Sequence, residues 1–140
     1  MEKYKPRLFN YLVIGLFFIS LFTEIYQGEE GEIIGVEWLI LGGLIIYFGK
    51  YYAFAAWLSI LFFFCSFLVK KDKLVLKSIL SGITILLGLL TLTVTELPVK
   101  AGTHFIQVQI GTGFYFLITI YILVFLKNLK LYKKKEYSKK

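Results

Sequence analysis

IIGVEWLILGGLIIYFGKYYAFAAWLSILFFFCSFLV, residues 33–69, is the stretch on which the fold turns. Its 37 residues carry two charges, Glu37 and Lys50. As one helix at 1.5 Å per residue it would be about 55 Å long, nearly twice the hydrocarbon thickness of a bilayer. Two full spans would fit, but they would put the lysine cluster after residue 69 on the opposite side from the lysines at the amino terminus. A split answers both problems. Residues 37–48 are expected to form a short interfacial or re-entrant helix on the outer side, and residues 51–69 a full span. Gly42, Gly43 and Gly49 weaken the helix where it must bend, and Lys50 marks a wet position between the pieces. Trp38, Tyr47, Tyr51, Tyr52 and Trp57 gather there as an interfacial aromatic belt does.

Working outward, the charges repeat the message. Fourteen of sixteen Lys and Arg residues fall in three patches: Lys3, Lys5 and Arg7; Lys70, Lys71, Lys73 and Lys77; and seven lysines from Lys127 to Lys140. Six of nine acids, Glu24, Glu29, Glu30, Glu32, Glu37 and Glu96, fall in the intervening segments. Cytoplasmic loops are enriched in Lys and Arg, so the partition predicts a multi-pass topology with both termini in the cytoplasm. The net charge of +7 is therefore a topology signal. Nucleic-acid binding is not expected, because no aromatic and basic residues interleave on a polar surface.

Hydrophobic residues make up 58% of the chain and aromatic residues 19%, with a mean hydropathy of +0.74. A soluble domain of 140 residues could not bury that much apolar surface, so lipid must cover the rest. At about 20 apolar residues per span, the chain holds roughly four. They are expected at 8–26, 51–69, 74–97 and from about 113 to 126 or 131. The first is longer than a signal-peptide core and lacks a small-residue cleavage site, so it reads as a retained helix. In the last outer loop, Ile106-Gln107-Val108-Gln109-Ile110 alternates with period two and predicts a short strand. The fold class is an all-α integral membrane protein, with residues 1–131 as one transmembrane domain and 132–140 as a disordered basic cytoplasmic tail.

The most organised polar pattern is on the third span. Ser78, Ser81, Thr84, Gly88, Thr91 and Thr95 recur every three or four residues, and from Ser81 onward they fall within a sector of about 80°. Small residues on one stripe let helix backbones approach and hydrogen-bond across the contact. The sharper alternative is that the hydroxyls line a water-filled path. On the fourth span, Thr112, Tyr115 and Thr119 share a face expected to meet another helix. Glu24, Glu37, Lys50 and Glu96 are the charges nearest to apolar segments. Interfacial anchoring is their first expectation, and a Glu24–Lys50 or Glu37–Lys50 pair inside the bundle the second.

Nothing in the chain composes a reactive site. His104 is the only histidine and Cys65 the only cysteine, too few for a zinc site or an internal disulfide. Gln109-Ile110-Gly111-Thr112-Gly113 has a superficial likeness to a cation-channel filter, but its residue order differs and it reads as the start of the fourth span. No cofactor and no enzyme activity are expected. The functional expectation is a small non-catalytic protein of a bacterial inner membrane, the Lys, Ile and Phe content fitting an AT-rich bacterial genome. It would act through helix–helix assembly, with itself or another membrane subunit, as a subunit or immunity-type factor. The alternative is a homo-oligomeric pore lined by the stripe of the third span. A membrane enzyme acting on lipid or quinone is the least supported.

Overall fold

The computed structural model describes residues 5–28, 31–70, 73–99 and 104–137. The described residues form five α-helices: α1, Lys5–Leu21; α2, Gly35–Leu41; α3, Tyr51–Leu68; α4, Leu74–Leu89; and α5, Thr112–Tyr137. A 3-10 segment, Gly42–Phe48, continues α2, and a 3-10 turn, Leu90–Thr93, continues α4. Four strands complete the fold: β1, Glu24–Gly28; β2, Gly31–Ile34; β3, Glu96–Val99; and β4, His104–Ile110. The all-α expectation is corrected by these strands, of which only β4 is announced by the sequence.

Three helical segments are long and apolar enough to cross a membrane: Tyr51–Leu68, Leu74–Thr93 and Thr112–Lys135. Four such helices are expected from sequence, and the difference lies in α1. Its apolar part is shorter, Leu8–Leu21, because the final residues of the expected span at 8–26 leave the helix and become β1. The third span likewise ends early, and Glu96 and Leu97 belong to β3. At the carboxyl end the difference has the other sign. Helix α5 runs unbroken to Tyr137, through most of the tail expected to be irregular. Residues 138–140 lie outside the described residues.

The long helices form an up-and-down bundle. Helix α4 packs between α3 and α5, and α5 packs between α4 and α1. Phe9 and Asn10 of α1, Phe67 of α3, Lys77 of α4 and Lys127 of α5 surround one cavity, so the lysine-rich helix ends converge at one end of the bundle. The sheet closes the other end. Large apolar side chains cover the outside of the helices, among them Leu12, Phe18, Leu61, Phe67, Ile79, Leu86, Ile122 and Leu126. A helix that is apolar on both its packed and its outer face needs an apolar surround.

Two hairpins build the sheet. β1 pairs antiparallel with β2, and β3 with β4; β1 then pairs with β4, giving the order β2-β1-β4-β3. The central register sets Tyr26 opposite Ile110 and Gly28 opposite Val108. Ile106 and Val108 of β4 point inward while Phe105, Gln107 and Gln109 point out, the period-two pattern of a half-buried strand. β3 lies at the sheet edge, where Pro98 removes no ladder hydrogen bond from a further neighbour. Under the sheet, Trp38 of α2 meets Tyr26 edge to face at 4.9 Å.

The split of residues 33–69 is present, with α2 and its 3-10 continuation ending at Gly49 in a left-handed conformation (φ 73°) before α3 starts at Tyr51. Gly42 and Gly43 serve close approach. The indole of Trp57 lies against both, and a side chain on Gly42 would meet its Cδ1 at 2.3 Å. The Trp57 Nε1–H donates to the Leu39 carbonyl at 3.1 Å, pinning this limb back onto α3. Glu37 accepts from the Ile34 amide at 3.2 Å, satisfying one of the free donors at the start of α2.

Candidate functional site

The stripe of α4 faces the interior of the single chain. Ser81, Thr84, Gly88 and Thr91 are buried, Ser78 is half-buried and Thr95 is exposed beyond the 3-10 turn. Ser81 Oγ donates to backbone carbonyls of its own helix and accepts from Asn128 Nδ2 of α5 at 3.3 Å. Thr84 Oγ1 donates to the Leu80 carbonyl at 2.9 Å. Gly88 makes room for Tyr121 of α5, whose ring carbons lie 2.9–3.0 Å from where a Cβ would stand. The Tyr121 hydroxyl in turn meets Ser59 Oγ of α3 at 3.1 Å. The result is a seam joining α3, α4 and α5, in which the Ser59, Ser81, Thr84 and Tyr121 hydroxyls bond to carbonyls or to each other, while Ser78 Oγ is buried with no hydrogen-bond partner among the described residues.

Tyr121, Asn128, Ser59 and Ser66 complete this seam and were not singled out from sequence. Their signal is faint but present: Tyr121 and Asn128 are seven residues apart on one helix, Ser59 and Ser66 seven apart on another, and all four are buried. The face of α5 that sequence selects, Thr112, Tyr115 and Thr119, is exposed instead. Thr119 Oγ1 donates to the Tyr115 carbonyl at 2.7 Å, so its hydroxyl needs no partner helix.

Lys50 meets neither Glu24 nor Glu37. Its ammonium lies 2.7 Å from Glu96 Oε2 and 4.7 Å over the Phe105 ring. Gln107 Nε2 donates to the other Glu96 oxygen at 3.1 Å. The Lys50 hydrogen bond and then its charge hold the Glu96 carboxyl below the usual carboxylate range. Glu24 accepts from Gln27, and Glu37 caps α2. The cleft beside the pair is small, about 180 Å³, and is walled by Gly49–Ala53 and by Thr93–Glu96. Glu37 does not reach it, so Glu37, Lys50 and Glu96 do not converge on a closed pocket. Among the described residues no cluster of three His, Cys, Asp or Glu could hold a metal.

The glycines of the filter-like run are a strand-to-helix junction. A Cβ on Gly111 would fall 2.3 Å from the Glu24 carbonyl oxygen, and one on Gly113 2.8 Å from the carbonyl oxygens of Thr23 and Glu24. These backbones are in van der Waals contact with the elbow between α1 and β1 and line no pore. His104 is exposed on β4 opposite Val99.

The outward face of the sheet is the remaining organised polar surface. Glu32, Gln27 and Gln109 sit in one cross-strand row, and Glu96 and Gln107 in the next. All but the half-buried Glu96 are exposed. Comparisons with protein-family models, curated proteins and solved structures give no match to this chain.

Proposed function

We propose that the chain is a small non-catalytic protein of the bacterial plasma membrane, crossing it four times as α1, α3, α4 and α5. Both termini and the lysine-rich helix ends lie in the cytoplasm, and the sheet lies outside. It works by binding a partner, as a membrane subunit or immunity-type factor, and the partner-facing surface is the Gln and Glu face of the sheet. The observation that carries this reading is the sheet itself. Antiparallel helices need connections of only a few residues, and longer structured connections on a rigid scaffold are where binding function concentrates. Here the connections at 22–50 and 94–111 contribute β1, β2, β3 and β4 to one four-stranded sheet with a solvent-facing polar side. The seam weighs against permeation along the stripe, since Ser81, Thr84 and Thr91 are packed inside one chain.

Cysteine labelling tests the placement. In a Cys65→Ser background, an impermeant maleimide should label Gln107→Cys on intact cells and Lys133→Cys only after the membrane is opened. Labelling of both without permeabilisation refutes the topology. In proteoliposomes the protein should leave ion flux at the level of empty vesicles. A flux abolished by Thr84→Val, Thr91→Val and Thr95→Val together would refute the assembly reading in favour of a pore.

A further inference from the structure

At the lysine-rich end the four long helices do not close. A cavity of about 520 Å³ lies among them, within the size range of small-molecule sites. Two cations reach it, Lys77 from α4 and Lys127 from α5. Lys127 Nζ donates to Asn10 Oδ1 at 2.6 Å and lies 4.6 Å over the Phe9 ring, so its charge is held in place over apolar surface. Asn10 lines the same cavity, and its amide carries a further donor besides the oxygen that Lys127 holds. Among the described residues no carboxylate pairs with Lys77 or Lys127. The rest of the wall, including Ile14 and Phe67, is apolar apart from Ser66 and Asn128, whose polar groups bond to the Phe63 carbonyl and to Ser81 Oγ.

The cavity is blind toward the sheet. One turn along each helix, the rings of Phe17, Phe63 and Tyr121 close the bundle, with Phe17 on Phe63 at 5.7 Å and Phe63 on Tyr121 at 5.3 Å. Depth is the second constraint. At 1.5 Å per residue, Lys127 lies about 22 Å along α5 from its start at the sheet, near the far edge of a hydrocarbon core of about 30 Å. Two cations at a headgroup boundary, above an apolar cavity between helices, match an anion joined to an acyl chain. Basic pockets between membrane helices on the cytoplasmic side bind lipid headgroups by this chemistry.

We propose that this cavity is a binding site for an anionic phospholipid of the inner leaflet, its phosphate held by Lys77, Lys127 and the Asn10 amide and part of one acyl chain beside Ile14 and Phe67. The site rests on the membrane reading above, and extraction of membranes with alkaline carbonate tests that reading separately. The decisive measurement is native mass spectrometry of purified protein titrated with phosphatidylglycerol or phosphatidylcholine. One phosphatidylglycerol per chain should be retained, about tenfold more strongly than phosphatidylcholine. Lys77→Gln with Lys127→Gln should abolish that preference, while Lys133→Gln with Lys134→Gln, the same loss of charge on the exposed end of α5, should leave it. Ile14→Trp, which fills the cavity from its lined rim without touching charge, should reduce retention of the lipid and keeps the test open if the double variant fails to fold. Equal retention of the two lipids, or equal losses in the two double variants, overturns the proposal. Displacement of the lipid by millimolar inorganic phosphate would also overturn it, by showing a bare anion site with no part for the acyl chain.

Discussion

The elbow at residues 20–24, where α1 becomes β1, is held between glycine backbones, and replacing those glycines tests the fold at its tightest point. A Cβ on Gly35 would stand 2.1 Å from the Ser20 carbonyl oxygen, and one on Gly111 2.3 Å from that of Glu24. Ordinary contact begins near 3.4 Å, so about 1.3 Å of movement is required at Gly35. The obstructing atoms are main chain, with no side-chain rotation to absorb it. Overpacking alone costs about 1–3 kcal/mol. The shift also strains the Gly35 N–H to Thr23 carbonyl and Gly111 N–H to Ile25 carbonyl bonds, worth about 1 kcal/mol each. Gly35→Ala and Gly111→Ala should each lose about 3–4 kcal/mol. At about 3–4 °C per kcal/mol for a chain of this size, that lowers Tm by roughly 10–15 °C. Gly15, in the middle of α1, is the control, with nothing within 4 Å of its would-be Cβ. Gly15→Ala should gain up to about 1 kcal/mol from helix propensity. Thermal unfolding in mild detergent, followed by the fluorescence of Trp38 and Trp57, reads all three. A Gly35→Ala protein melting within 2 °C (about the error of such a scan) of wild type, or alongside Gly15→Ala, would refute the close approach and the elbow built on it.

Two buried tyrosines should respond oppositely to loss of the hydroxyl. Tyr121→Phe removes the partner of buried Ser59 and should cost about 1 kcal/mol, whereas the Tyr26 hydroxyl has no hydrogen bond among the described residues, although Thr91 lies beside it, and Tyr26→Phe should be neutral or stabilising by the same assay. Gly88→Leu places a branched side chain against the Tyr121 ring and should destabilise by about 3 kcal/mol, with near-ultraviolet circular dichroism reporting the displaced ring. Because Lys50 lowers the Glu96 pKa, the pair's contribution is complete above the ordinary carboxylate range and is lost as pH falls through the lowered value. The stability difference between wild type and Glu96→Gln should therefore shrink in melts run at increasingly acid pH, and a difference that grows on acidification would contradict the sign. Its size should be small, since both partners are more than a quarter exposed.

How much of this was legible follows from where each signal resides. The break at Gly49 and Lys50 could be read because helix length, bilayer thickness and charge side all demanded it locally. Strand β4 could be read because its alternation is local too. β1 could not: Ile25 and Tyr26 are as apolar as the helix before them, and what makes them a strand is pairing with β4, more than eighty residues on. Separation along the chain also hides the partner of Lys50, 46 residues away. Glu24, Glu37 and Glu96 are equivalent by composition, and only the placement of β3 brings the last of them to the ammonium. On α4, Ser81, Thr84, Gly88 and Thr91 of the small-residue stripe are buried while Ser78 is half-buried and Thr95 exposed, and on α5 Thr112, Tyr115 and Thr119 are exposed. A threonine that donates to its own helix is satisfied on either face, so hydroxyl spacing alone says little about orientation.

The two ends of the bundle are fastened unequally, and this bears on where the molecule can move. At the sheet end, β1 pairing with β4 ties the exit of α1 to the start of α5. There the Lys50–Glu96 pair ties the start of α3 to the exit of α4, and Trp57 pins the α2 limb to α3. Every long helix is held there through backbone hydrogen bonds, a salt bridge or both. At the lysine-rich end, α3 and α4 share a short connection, but among the described residues α1 is held to α5 by one side-chain hydrogen bond, from Lys127 to Asn10, beside the cavity. Local opening follows the elements with fewest buried contacts and least hydrogen bonding between them. The amino-terminal half of α1 is that element, so local opening is expected there, inside the limit set by the Phe17 contacts with Phe63 and Phe64, rather than at the elbow. A partner bound at the sheet would therefore meet a fixed surface, while occupation of the cavity by lipid would decide how far α1 stands from α3.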